Sequence, residues 1–183
     1  MTDESPPAAP HDIWVFAYGS LMWNPEFPHE ESRPARLNGH HRALCLWSFD
    51  YRGTPEKPGL VLGLDRGGSC RGRAYRVSAR DREAVIRYLD KREASDGEYF
   101  SRWLPARLED DGTAISAYGF VVNPANRYYA GRLPLHETVR LVRQGHGDRG
   151  ACLDYVRNTV AHLREMGIRD RALETILREA EEA

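Results

Sequence analysis

The order of secondary-structure signals constrains this chain more than any single motif. Four strand-like segments come first, then one helix, then a two-strand hairpin, then helices to the end. Chains that alternate strand and helix build parallel sheets, whereas chains that segregate them build α+β folds with antiparallel pairing. The expected fold is therefore α+β: a small mixed, mainly antiparallel β-barrel or sheet with flanking helices. Residues 1–11 read as a disordered leader rich in Pro and Ala, and 12–183 as a single domain.

Each segment has its own local reason. Ile13-Trp14-Val15-Phe16-Ala17-Tyr18 is an unbroken apolar run that stops abruptly on Gly19-Ser20, as a buried strand entering a turn does. β-forming residues recur over 35–47, 60–64 and 72–77. The last two flank Asp65-Arg66-Gly67-Gly68, which reads as a turn. Over 79–92, Val85, Tyr88 and Leu89 give a helical stripe, with Ser78 as N-cap and Asp81 completing a short capping box. Residues 99–108 and 113–122 alternate as strands around Glu109-Asp110-Asp111-Gly112, a hairpin signal. From Leu135 onward the chain reads as helical: a short helix over 138–143 that stops at Gly145, then one across Leu153, Val156, Val160 and Leu163 that ends at Gly167. A last helix, capped by Asp170, carries Leu173, Ile176 and Leu177.

Composition excludes several classes. The 26 basic residues, all Arg except Lys57 and Lys91, nearly cancel 27 acids, leaving a net charge of −1. The arginines are interleaved with acids, unlike the basic excess or cluster of a nucleic-acid binder. No apolar stretch approaches the length of a membrane span, and the first residues lack the pattern of a secretory signal. A cytoplasmic protein is expected. Cys45, Cys70 and Cys152 form no CxxC pair, and they are odd in number, which argues against a disulfide framework. His40 and His41 are adjacent and would point to opposite faces of a strand, so no metal site is expected. Nothing in the sequence sets an oligomeric state.

Three segments carry groups suited to chemistry. A strand ending on Tyr18-Gly19-Ser20-Leu21 exposes consecutive backbone N–H groups, a concavity that can hold a carboxylate; the same residues also suit an ordinary tight turn. Glu93 lies at a helix end, where the macrodipole favours its proton. Burial there would raise its pKa toward that of a general base, whereas exposure would leave it an ordinary solvated acid. The segment from Ser48 to Pro55 places a hydroxyl, an acid, a phenol and Arg52 just after a strand. Arg52 can bind a carboxylate bidentately, or Asp50 and Arg52 can pair to stiffen a turn. The four Trp residues read as core or pocket wall. Cys45 reads as a buried hydrophobe, and His146 as a loop residue.

Together these segments resemble the ChaC family of γ-glutamylcyclotransferases. The resemblance runs in order through Trp14 to Pro25, Tyr51-Arg52-Gly53-Thr54-Pro55, Pro58 to Leu64, Gly72 to Val77 and Tyr88-Leu89-Asp90-Lys91-Arg92-Glu93. It continues through Ala117 to Val122, Gly145-His146-Gly147-Asp148-Arg149-Gly150 and Leu163 to Asp170. It implies a γ-glutamylcyclotransferase-like fold and cleavage of glutathione into 5-oxoproline and cysteinylglycine, without metal, nucleotide or other cofactor. The substrate α-amine would attack its own γ-carbonyl, with Glu93 as the base. Tyr18, Gly19, Ser20 and Leu21 would hold the glutamyl group, with Ser48, Arg52, Tyr99 and Tyr118 around it. The only partner implied is a small molecule. Three positions depart from the family pattern: Tyr51 stands where His is common, Ala17 where Gly is usual, and Gly97-Glu98-Tyr99 where a Gly-Tyr pair is frequent. Tyr51 keeps open a different γ-glutamyl substrate, and the fold alone is compatible with a non-catalytic binding domain.

Overall fold

The computed structural model describes residues 11–93 and 97–182. The leader expected at 1–11 lies outside them apart from His11. Five strands are involved in the main sheet: β1 (Ile13–Ala17), β2 (Glu31–Ser48), β3 (Gly59–Val77), β4 (Tyr99–Leu108) and β5 (Ala114–Val122). They close into a barrel in the order β1-β3-β2-β4-β5. All pairs are antiparallel except the closing one, where β1 runs parallel to β5 with Val15 opposite Tyr118. The expected mixed, mainly antiparallel barrel is thus the one observed. Among the described residues four helices flank it: α1 (Arg82–Glu93), α2 (Leu135–Gln144), α3 (Cys152–Glu165) and α4 (Arg171–Glu182). A two-residue ribbon, β6 (His146–Gly147) with β7 (Gly150–Ala151), joins α2 to α3.

Burial on both faces explains why β1 shows no polar alternation. Phe16 points into the barrel with Leu37, Leu64, Leu104 and Leu108. Ile13, Val15 and Ala17 point outward, against a layer built from Val85 and Leu89 of α1 and from the apolar stripes of α2, α3 and α4. A strand covered on both sides has no position left for a polar residue. The hairpin forms as its sequence predicts, with Gly112 at φ +75° in the turn after β4.

The turn expected at Asp65-Arg66-Gly67-Gly68 does not form. Instead β3 runs unbroken through it, and the register against β2 shifts between Asn38–Ser69 and His40–Arg66. Gly67 and Gly68, at φ +97° and +68°, make a bulge. A glycine pair that usually reverses a chain only kinks it here, because β2 continues to pair on both sides. Helix α1 begins at Arg82, later than the stripe predicts. The Ser78 hydroxyl donates to the Asp81 carboxylate (3.0 Å), and the Ser78 carbonyl accepts the N–H groups of Asp81 and Arg82. Helix α2 begins at Leu135, where the helical reading begins, and stops at Gly145 as expected. Asp170 caps α4 as expected, its Oδ1 accepting the Leu173 N–H at 3.1 Å. Trp103 departs from the core reading. It is 46% exposed on β4, with the Arg82 guanidinium over its ring.

Candidate active site

β1 ends where its pairing ends, and Gly19 leads into one 3₁₀ turn at Ser20–Met22. The Gly19 carbonyl accepts the Met22 N–H (2.9 Å), and the Ser20 carbonyl accepts the Asn24 N–H (2.9 Å). The N–H groups of Gly19, Ser20 and Leu21 have no acceptor among the described residues. They stand at the start of a helical turn, where unpaired donors gather. Arg42 sits behind this turn. Its Nε donates to the Tyr18 carbonyl (2.6 Å), Nη2 to the Arg71 carbonyl (2.7 Å) and Nη1 to Asp170 Oδ2 (3.0 Å). The Arg42 side chain is 3% exposed. The turn is therefore tied to the carboxylate that caps α4, 128 residues away.

Glu93 is the last residue of α1, the helix anchored to the barrel by Val85 and Leu89. Its Oε1 pairs with Arg92 Nε at 3.0 Å, and its side chain is 24% exposed. Burial pushes its pKa above the ordinary carboxylate value, and the Arg92 guanidinium opposes part of that rise. Arg92 is shared, because its Nη1 also donates to Glu26 and to the Tyr88 hydroxyl, both at 2.9 Å. A partner divided among three oxygens neutralises any one of them less. Glu93 therefore has the protonation behaviour expected of a base in a sheltered site.

The turn and Glu93 face one small cavity of about 100 Å³. Tyr18, Gly19, Ser20, Leu21, Glu93 and Tyr99 line it, six of the nine site residues expected from sequence. Tyr155 of α3 lines it too, and sequence reasoning did not select that residue. Tyr99 and Tyr155 hold the backbone of one β3 residue, Leu62, through the two peptide groups that flank it. The Tyr99 hydroxyl donates to the Leu62 carbonyl (2.8 Å), and the Tyr155 hydroxyl accepts the Leu62 N–H (3.2 Å). Burial raises the phenol pKa of Tyr18 and Tyr99 well above 10, and that of Tyr155 to about 12. All three remain protonated through the neutral range.

Arg52 lies in a larger hollow of about 310 Å³ beside the cavity, together with Tyr51, Arg149 and His162. Ser20, Val61 and Tyr155 line both. Arg52 donates to the Arg149 carbonyl, and its guanidinium lies 5.1 Å from the centre of the Tyr155 ring. It forms no ion pair with Asp50; instead Asp50 Oδ1 accepts the Tyr51 N–H (2.8 Å). The loop at 48–53 is stitched to the ribbon by the Asp148 and Arg149 N–H groups, which donate to the Asp50 and Tyr51 carbonyls at 2.7 and 3.0 Å. Gly145 and Gly147 permit this contact. A Cβ on either would come within 2.5 Å and 2.0 Å of the Arg52 and Asp50 carbonyl oxygens. The Gly-His-Gly motif is thus a close-packing motif, and His146 between the glycines is exposed.

Ser48 and Tyr118 line neither space. The buried Ser48 hydroxyl accepts the Arg52 N–H at 2.9 Å and fixes the start of its loop. Tyr118 faces α1, its hydroxyl donating to Asp90 Oδ1 at 2.5 Å. That bond holds α1 one turn before Glu93. Cys45 is fully buried, and burial raises its thiol pKa to about 12, consistent with the packing role read from its strand. Among the described residues, no cluster of His, Cys, Asp and Glu is arranged to hold a metal ion.

A family model described as ChaC-like protein matches residues 13–183. The chain belongs to the ChaC-like family. The glutathione-specific γ-glutamylcyclotransferase of Escherichia coli K12 is 34% identical over 165 residues, spanning 90% of this chain and 71% of that protein. The glutathione-specific γ-glutamylcyclotransferase 1 of Mus musculus is 30% identical over 173 residues, spanning 92% and 78%. A crystal structure of a glutathione-specific γ-glutamylcyclotransferase from yeast aligns with a TM-score of 0.82 at 21% identity, covering 94% of this chain and 96% of that one. At that identity the last comparison speaks to the fold, and it supports the same barrel with flanking helices.

Proposed function

We propose that this ChaC-like protein is a γ-glutamylcyclotransferase that cleaves glutathione into 5-oxoproline and L-cysteinylglycine. One observation carries the reading. In a chain whose relatives bear that name, the Glu93 carboxylate and the unpaired N–H groups of the Tyr18–Leu21 turn face the same small cavity. The substrate supplies its own nucleophile, so the protein has three tasks: fold the glutamyl arm, move protons and stabilise an oxyanion.

The turn would hold the α-carboxylate through its N–H groups. Glu93 would take a proton from the α-ammonium, freeing the nitrogen to attack the γ-carbonyl carbon. The new N–C bond closes a five-membered ring, and the carbonyl electron pair moves onto oxygen. Ring closure within one molecule gains a large effective molarity once the arm is folded. Collapse of the intermediate breaks the bond to the cysteine nitrogen, which receives its protons through Glu93. Two hydrogens leave the attacking nitrogen and two reach the leaving one, so the carboxylate is regenerated. Tyr99 would fix the β3 wall of the cavity and Arg52 its outer rim, while Ser48 and Tyr118 act on the loop and on α1.

Residues 12–183 would act as one domain, in line with the extent of the family match. A cytoplasmic location fits Cys45, Cys70 and Cys152, which are all free and buried, as in a reducing compartment. Among the described residues no helix is long and apolar enough to cross a membrane. The test is incubation of the protein with glutathione alone, following 5-oxoproline and cysteinylglycine in equal amounts. Folded protein that releases neither refutes the activity. Release from other γ-glutamyl amides but not from glutathione refutes the substrate.

A further inference from the structure

We propose that Tyr155 is a catalytic residue whose hydroxyl donates to the oxygen of the scissile γ-carbonyl and stabilises the oxyanion formed during cyclisation. The assignment rests on the cyclotransferase reading above. Two observations carry it. First, the Tyr155 oxygen accepts the Leu62 N–H at 3.2 Å, and its own proton has no acceptor among the described residues. A half-buried hydroxyl that accepts but does not donate leaves a donor unused, and such a group calls for a partner. The proton must point away from Leu62, and Tyr155 lines the cavity.

Second, Tyr155 borders both spaces. With the glutamyl arm in the cavity and the leaving dipeptide in the hollow, the bond to be broken spans their boundary. Ser20, Val61 and Tyr155 are the residues that line both sides. Val61 has no polar side chain, and Ser20 is exposed. Tyr155 is held by the Leu62 peptide and by the Arg52 guanidinium against its ring. A donor fixed before the reaction needs no reorganisation as charge develops, and such donors contribute strongly to rate. Burial keeps this phenol protonated through the neutral range, so the donor is always present.

The experiment compares wild type with Tyr155→Phe on glutathione. The expected result is a fall in kcat of about 10²–10³-fold with KM changed by less than about threefold, the signature of an interaction made in the transition state. An unchanged kcat, or a loss confined to KM, overturns the assignment. Phe also removes the acceptor for Leu62, so a second variant is needed. Site-specific replacement of Tyr155 by 3-fluorotyrosine keeps ring and acceptor but makes the donor more acidic. It should raise kcat a few-fold, by about 2–5 times, with KM unmoved. If Tyr155 only supports Leu62, kcat stays at the wild-type value. Wild-type protein that releases no 5-oxoproline from glutathione overturns the underlying reading itself, whereas an active wild type matched by Tyr155→Phe overturns this assignment alone.

Discussion

The cavity at the end of β1 and the hollow beside it share part of one wall but are built on different principles. Elements distant in sequence enclose the cavity: a turn after β1, the last residue of α1, Tyr99 of β4 and Tyr155 of α3. Its polar side chains are mostly half-buried, and Tyr99 and Tyr155 are held by the Leu62 backbone. The hollow is wider and is edged by exposed side chains such as Tyr51 and Arg149, whose guanidinium lies 4.3 Å from the Tyr51 ring centre. A small space with fixed donors suits the glutamyl arm, which every γ-glutamyl compound shares. A wide, water-washed hollow with two arginines suits the part that differs between substrates. Chemistry should therefore be sensitive to the first region, and substrate preference to the second.

The largest effect should come from Glu93→Gln. The carboxamide keeps shape but cannot take a proton, so kcat should drop by about 10²–10⁴-fold with the unfolding midpoint unchanged. Retained turnover would place the base elsewhere. Arg42→Met comes next and breaks the support behind the turn. Removing one member of a buried ion pair costs about 3–5 kcal/mol, which urea denaturation would register. A loss below about 1 kcal/mol would show that Asp170 and the Tyr18 carbonyl find other partners.

A third expectation concerns pH. Burial raises the Glu93 pKa in the free protein, and a base works only when ionised. The acid limb of kcat/KM should therefore rise with pH through a value above the ordinary ~4.3 of a glutamate. A limb at or below that value would mean that Arg92 outweighs burial. Arg149→Ala should act on preference alone. The KM for glutathione should rise about two- to fivefold, as for an exposed ion pair worth under about 1 kcal/mol. The KM for a γ-glutamyl amine that lacks a carboxylate in its leaving group should not move. Equal effects on both would end the division of labour between the two spaces. Arg87→Ala, far from both, removes an exposed i,i+4 pair with Glu83 and should change stability by less than about 0.5 kcal/mol.

Much of this architecture is legible in the chain. The apolar run of β1, the hairpin and the Asp170 cap follow from periodicity and turn chemistry acting over a few residues. The turn at Tyr18–Leu21 and Glu93 stand out because each sits at the end of a recognisable element. Two residues do not stand out. Among many arginines, Arg52 attracts attention by its loop, yet Arg42 is the one buried beneath the turn. Tyr155 follows the stripe of α3 and reads as packing, which is also what its ring does. The glycine pair at Gly67-Gly68 misleads for a related reason: its backbone freedom is local, but whether that freedom makes a turn or a bulge depends on the strand opposite.

The sequence by itself determined the class of fold, the family and the two ends of the candidate site, the turn and Glu93. These depend on dihedral preference, hydrophobic period and ordered motifs, all properties of short stretches. Only the tertiary structure decided that Arg42 braces the turn through Asp170, that Ser48 and Tyr118 act on neighbouring elements, and that the Tyr155 hydroxyl reaches the cavity. Those roles depend on desolvation and on what lies across a gap of a few ångströms. Barrel closure and helix packing set both, between residues far apart in the chain.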